Sequence, residues 1–146
     1  MVSGELEYLS NFSKHYCTLD GLIYLTVENA FQAAKVSNPT ERAMHGFTHC
    51  SPREAKRIGR SIELRRDWEQ IKLPLMRQLL ASKFSSNLGL AERLVATGNL
   101  DLVETNTWHD QIWGSCVCDQ HIELPGQNLL GVSLQWLRYY LAGCGA

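Results

Sequence analysis

The segment Thr26-Val27-Glu28-Asn29-Ala30-Phe31-Gln32-Ala33-Ala34-Lys35 places a carboxylate and an amine on one helical stripe. At about 3.6 residues per turn, Glu28, Phe31, Gln32 and Lys35 share a face, and a rise of about 1.5 Å per residue separates the two charged groups by roughly 10 Å along the axis. That gap holds part of a ligand. A carboxylate there can move a proton or direct water, and an amine can attack an electrophilic carbon. Val27, Ala30, Ala33 and Ala34 form the other side, where small side chains let neighbours approach closely. An exposed amphipathic helix with solvated Glu and Lys has the same spacing, so spacing alone does not establish a site.

Three other segments carry chemistry. Trp108-His109-Asp110-Gln111-Ile112-Trp113-Gly114 sets two indoles around a His and an Asp, suited to stacking on a base or covering a sugar while Asp110 accepts a proton. The competing role for both indoles is to cap the core. Cys116-Val117-Cys118-Asp119-Gln120-His121 offers three metal ligands, with His109 or Cys50 as a remote fourth. Structural zinc sites favour paired cysteines spaced more widely than C-x-C, so the sequence assigns no metal and no cofactor. Nothing marks a nucleophilic thiol. Between residues 53 and 66, Arg53, Lys56, Arg57, Arg60, Arg65 and Arg66 outweigh Glu54 and Glu63. Arg forks of this kind bind phosphate, although a charge run is more often a solvated face. Arg60 is favoured, because it follows Gly59 where the chain is expected to turn.

The elements that must position these groups are marked by caps and breakers. Thr26 caps the first helix, with Glu28 in its first turn, and Asn38-Pro39 ends it. Asn38-Pro39-Thr40-Glu41 and Ser51-Pro52-Arg53-Glu54 each place a capping residue, then Pro, then Glu at N3, with Gly46 and Gly59 as expected stops. Residues 8–13 read as a strand or extended loop, and Asp20-Gly21 as the turn of a hairpin over residues 16–24. Asp67 opens a further helix kinked or restarted at Pro74, Asn87 caps the next, and residues 100–104 read as a strand. Residues 105–127 lack periodicity, and a loop of that length is often functional. Asn128 caps a last helix closing at Gly143.

The 146 residues, 45% hydrophobic and 20% charged, suffice for one sizeable core. A net charge of -1 gives no global attraction to nucleic acid or an anionic membrane, so phosphate binding must be local. No stretch reaches the ~20 apolar residues that span a bilayer, and no signal peptide is apparent. A soluble, cytoplasmic protein is expected, with its five cysteines as reduced thiols.

Taken together, the motifs resemble the NADAR (YbiA-like) family over nearly the whole chain. The resemblance rests on Tyr8-Leu9-Ser10-Asn11-Phe12, then Val27-Glu28, Phe31-Gln32-Ala33 and Lys35. It continues through Pro52, Ala55, Gly59-Arg60, Asp67-Trp68, Lys72, Met76 and Lys83-Phe84. Leu102-Val103-Glu104, Asp110, Trp113-Gly114, Gly126, Asn128, Gly131 and Arg138 complete it. One departure is Asn29, where a His often follows the helix Glu.

The resemblance implies a single α+β, predominantly helical domain over residues 1–146, with a few short strands near a ligand cleft. It implies an N-glycosidase, removing ADP-ribose from ADP-ribosylated guanine in nucleic acid. The alternatives are hydrolysis of phosphoribosylamino-pyrimidine intermediates of riboflavin synthesis, or a non-catalytic ADP-ribose or NAD reader. The expected partner is accordingly ADP-ribosylated nucleic acid or a phosphoribosyl or ADP-ribosyl small molecule, with no membrane. Glu28, Lys35 and Asp110 are the expected catalytic residues, the first two facing Asp110 and Trp113 across the cleft. Ser10, Asn11, Phe12, Phe31, Gln32, Arg60, Trp68, Trp113 and Gly114 are the expected substrate contacts.

Overall fold

The computed structural model describes residues 4–144. The fold is α+β and mainly helical, with six α-helices and four short strands among the described residues. The chain divides into two compact units, one of residues Asn11–Leu88, the other of the amino-terminal residues through Ser10 together with Gly89 onward. No described helix is long and apolar enough to cross a membrane.

In the Asn11–Leu88 unit, β1 (Cys17–Leu19) and β2 (Leu22–Tyr24) form the expected antiparallel hairpin, Cys17 opposite Tyr24. Asp20 and Gly21 both take positive φ, at 50° and 80°, as a tight hairpin turn matched to strand twist requires. Helix α1 (Val27–Ala33) starts at Thr26, whose hydroxyl accepts the Asn29 N–H. Helices α2 (Pro39–Met44) and α3 (Pro52–Ser61) carry the expected caps, Asn38 and Ser51 accepting the N–H groups of Glu41 and Glu54. Every residue of α1 is buried, because α3, α4 (Trp68–Ser86) and the hairpin surround it. The small side chains Ala30, Ala33 and Ala34 permit this close approach.

Several boundaries differ from the sequence reading. Gly59 does not stop α3 but lies buried inside it, against Gln32 of α1. Asp67 precedes α4 without capping it, because Arg65 holds its carboxylate at 2.6 and 3.2 Å. Helix α4 runs through Pro74 unbroken, since burial of Leu75, Met76, Leu79 and Leu80 outweighs the missing amide hydrogen bond. Asn87 closes α4 by donating to Lys83 and Tyr16 carbonyls, and α5 (Leu90–Ala96) is entered through Gly89 at φ 85°.

In the other unit, residues Gly4–Leu9 form a 3-10 turn, so Tyr8 and Leu9 are not part of the strand or extended loop expected over residues 8–13. Tyr8 fixes it, donating to the Arg93 carbonyl while the Arg93 guanidinium lies 4.0 Å above its ring. Helix α6 (Leu129–Cys144) packs on α5 through Leu130, Leu134 and Leu137. Residues 100–104 are not a strand, because side chains claim their backbone: Gln135 accepts Leu102 N–H, and Asn128 bonds Leu102 O and Glu104 N–H. Asn128 therefore ties down this segment with its side chain. The strands instead are β3 (Thr105–Asn106) and β4 (Ser115–Cys116), a parallel pair inside the unpatterned segment.

Candidate active site

Glu28 is buried at the start of α1, held from two directions. Its backbone N–H donates to the Asn11 carbonyl at 3.1 Å, and its Oε1 accepts from Gln32 Nε2 at 2.9 Å, the i to i+4 contact that the stripe predicts. The other end of the Gln32 carboxamide rests on bare backbone. A Cβ on Gly59 would stand 1.8 Å from Gln32 Oε1, so only glycine lets α3 approach this closely. Two acceptors attached to this arrangement, Gln32 Oε1 and Asn11 Oδ1, are buried without a hydrogen-bond partner. Such orphans are uncommon, and a ligand hydroxyl or amide is suited to them.

Lys35 follows the last turn of α1 and is partly buried. Arg65 closes that turn by donating to the carbonyls of Ala34 and Lys35. The Lys35 ammonium lies 5.7 Å from the Trp68 ring centroid, and Phe31 packs against the same indole at 5.0 Å. Burial pushes the Lys35 pKa below its usual value; Glu28 opposes the shift, and Arg60 and Lys56 add to it. The expected stripe is thus one charged neighbourhood in which the amine is destabilised as an ammonium.

The basic face of α3 is partly committed. Arg57 forms an ion pair with Glu54, Lys56 lies 5.9 Å from the ring of the half-exposed Phe12, and Arg60 is exposed one residue after Gly59. Asn29, at the position that departs from the family pattern, is fully buried and saturated. Its Nδ2 donates to the carbonyls of Phe47 and Cys50 at 2.9 and 2.8 Å, and its Oδ1 accepts from Thr26 Oγ1 at 2.6 Å. It ties α1 to the α2–α3 connection and has no capacity left for a substrate. The sequence reading missed this anchor, which only an amide with two donors and an acceptor can form.

In the other unit, Ser10 closes the 3-10 turn by donating its N–H to Glu7. Asp110 Oδ1 accepts the N–H groups of Ile112 and Trp113 at 3.0 and 2.9 Å, shaping the turn that presents Trp113. Asn106 clamps Asp110 further through its backbone N–H and carbonyl. Gly114 is buried where a Cβ would stand 2.2 Å from the Glu104 carbonyl. Trp108 is more than half exposed and caps no core.

The fold is that of a known family. The NADAR domain profile matches residues 3–142, and the chain belongs to that family. Among relatives, the N-glycosidase Npun_R5314 of Nostoc punctiforme is 35% identical over 133 residues, spanning 88% of this chain and 81% of its own. The N-glycosidase YbiA of Escherichia coli (strain K12) is 37% identical over 135 residues, spanning 91% of this chain and 80% of its own. The NMR structure of E. coli YbiA superimposes with a TM-score of 0.81 at 34% identity, covering 98% of this chain and 82% of that one. The maize riboflavin biosynthesis protein PYRR, chloroplastic, is 35% identical over 150 residues, which span 92% of this chain and 23% of that protein.

Proposed function

We propose that this chain is an N-glycosidase that hydrolyses an N-ribosyl bond, with ADP-ribose on guanine in nucleic acid as its substrate. The observation that carries the reading is the pairing of Glu28, buried at the start of α1, with Lys35 just beyond its last turn, whose ammonium is disfavoured by burial and by neighbouring cations. Binding a sugar needs no destabilised amine, which favours an enzyme over a reader. The names of two relatives, both N-glycosidases, agree with it.

An N-riboside is a masked aldehyde. Ring opening breaks the C1′–O4′ bond to leave an iminium at C1′, with O4′ taking a proton from Glu28; the neutral Lys35 amine adds at C1′, and the proton it sheds passes through Glu28 to the base nitrogen as the C1′–N bond breaks. The resulting Lys35 imine takes up water, releasing ribose as the aldehyde and restoring the amine, so the net reaction consumes one water. Asp110 matches the later acidic position of the family and is the second carboxylate of the proposal. Phe31, Trp68 and Trp113 supply aromatic faces for base or sugar, and Asn11 and Gln32 supply acceptors for ribose hydroxyls. Ser10, Phe12 and Gly114, which match motifs of the family, complete the proposed substrate contacts.

A second substrate is favoured by the riboflavin name of the maize relative: a phosphoribosylamino-pyrimidine, which presents the same bond. Incubation with ADP-ribosylated DNA and, separately, with phosphoribosylamino-pyrimidine distinguishes the two by which base is released. Failure to release sugar from either rejects the glycosidase. Borohydride added during turnover should trap a ribosyl adduct on Lys35, and Lys35→Arg should lose activity while retaining ligand affinity. The wild-type rate should rise with pH through a Lys35 pKa below the ordinary value. Full activity in Lys35→Arg without an adduct leaves water directed by Glu28 or Asp110 as the route.

A further inference from the structure

The unpatterned segment gathers His109, Cys116, Cys118 and His121, whose ligand atoms all lie within 4.8 Å of one another. His109 Nδ1 stands 3.3 Å from His121 Nδ1, 3.4 Å from Cys118 Sγ and 3.7 Å from Cys116 Sγ, and Cys118 Sγ lies 3.1 Å from His121 Nδ1. Hydrogen bonding does not account for this convergence. An imidazole nitrogen carries one proton or one lone pair and serves one partner in its ring plane, yet His109 Nδ1 has three. One cation at their common centre satisfies all four atoms.

We propose that these four residues form a structural zinc site. Zn–S bonds of about 2.3 Å and Zn–N bonds of about 2.0–2.1 Å in a tetrahedron set donor atoms about 3.3–3.8 Å apart; the three separations from His109 Nδ1 fall in that range, and the Cys118 Sγ–His121 Nδ1 separation of 3.1 Å is slightly shorter. Two thiolates and two imidazoles are the borderline-soft donor set that selects zinc over hard cations, and four protein ligands leave no open position for catalysis. Cys50, the other sequence candidate, is not a member: it belongs to the anchor around Asn29. The recognisable spacing is Cys118-x-x-His121, a mixed pair that a search for paired cysteines passes over.

The local structure is shaped around the cluster. Cys116 is placed by β4, whose parallel partner β3 begins the segment. The carbonyl of Cys118 accepts from His121 and Ile122 N–H, closing the turn that brings the second pair together. His109 takes φ 69°, a left-handed conformation uncommon outside glycine but more accessible to His than to most residues, and the Asn106 clamp on the next residue holds it. The site joins the two ends of the turn that carries Asp110 and Trp113, so the metal fixes that turn in place of a hydrophobic core. This inference stands independently of the reaction proposed above.

The test uses the full chain, expressed with zinc supplied. Elemental analysis should return one zinc per chain. Replacement by cobalt should give the intense ligand-field bands of a tetrahedral site with thiolate-to-metal charge transfer. Zinc should also protect two of the five thiols from alkylation. Cobalt bands should vanish in Cys118→Ser and His121→Ala and persist in Cys50→Ser. Wild-type protein that binds no zinc, shows octahedral cobalt spectra, or protects no thiols overturns the proposal whatever the variants do. Cobalt bands lost in Cys50→Ser overturn the ligand assignment.

Discussion

Gly59→Ala tests how α1 and α3 hold Glu28 in place. Helix propensity alone predicts that replacing a mid-helix glycine by alanine stabilises by about 0.5–1 kcal/mol. The structure predicts the opposite sign. The new methyl would lie 1.8 Å from Gln32 Oε1, 2.7 Å from its Cδ and 3.3 Å from its Cβ. Reaching ordinary contact requires the carboxamide to retreat by roughly 1.5–2 Å, which breaks its 2.9 Å bond to Glu28. Overpacking costs about 1–3 kcal/mol, and a hydrogen bond to a charged group contributes about 1.5–3. Allowing for propensity and partial relaxation, a net loss of about 2–4 kcal/mol is expected, or roughly 5–15 °C in melting temperature. With Glu28 no longer oriented, kcat should fall about 10- to 100-fold on whichever N-riboside the wild type cleaves. Scanning calorimetry and single-turnover kinetics read both effects. Gln32→Ala makes room for the methyl, so in that background Gly59→Ala should cost almost nothing, a coupling visible in a double-mutant cycle. Additive effects, or a stabilised Gly59→Ala with normal kcat, would show that Gly59 does not hold the Gln32–Glu28 bond in place.

Arg60→Ala should raise KM for a phosphorylated substrate roughly tenfold with little change in kcat, and lessen the salt dependence of binding. An unchanged KM would make the α3 face a solvated one. Lys83, fully buried on α4, has its pKa lowered from 10.5 to about 7 by desolvation, so above pH 7 the unfolded chain holds a proton that the native chain has released, and stability rises with pH by about 1.4 kcal/mol per unit. Above pH 9 Cys17, raised from 9.0 to about 11 by burial, opposes that rise; Lys83→Met should therefore flatten urea-unfolding stability between pH 7 and 9, and an unaltered slope would contradict the assignment.

The parts of this fold legible in the sequence were those written in local chemistry. Thr26, Asn38 and Ser51 announce three helix starts because a short oxygen-bearing side chain followed by an N2 or N3 amide is nearly self-contained. Asp20-Gly21 announces its hairpin for the same reason. Errors fell where a distant side chain decides the outcome. Asn87 and Asn128 look like caps, yet their amides are spent on other backbone, and residues 100–104 lose strand pairing to Gln135 and Asn128. The α1 stripe was legible because helical spacing brings Glu28 and Gln32 together, but the burial of the entire helix was not, since Glu, Asn and Gln signal exposure until their partners are known. Cys116, Cys118 and His121 were legible as candidate ligands, but the choice of His109 over Cys50 as their fourth was not, because His109 joins them only after the turn at residues 109–118 has formed.

Burial of polar groups on α1 separates structure from function by how fully each group is satisfied. Asn29 uses both donors and its acceptor within the protein, so it contributes rigidity and nothing remains for a ligand. Gln32 and Asn11 each donate once through the amide nitrogen, to Glu28 and to Met76 Sδ, and leave an acceptor oxygen buried and unpaired, at a cost of about 1–3 kcal/mol apiece. Both are bonded to Glu28, one through its side chain and the other through its backbone. Under the proposed function, hydroxyl donors arriving beside the carboxylate and the destabilised lysine would satisfy these oxygens and recover that cost. A ribose is rich in hydroxyls, and a reader of charge alone would not need these acceptors. The unsatisfied oxygens thus support the proposed ribosyl substrate from an observation separate from the Glu28 and Lys35 charges.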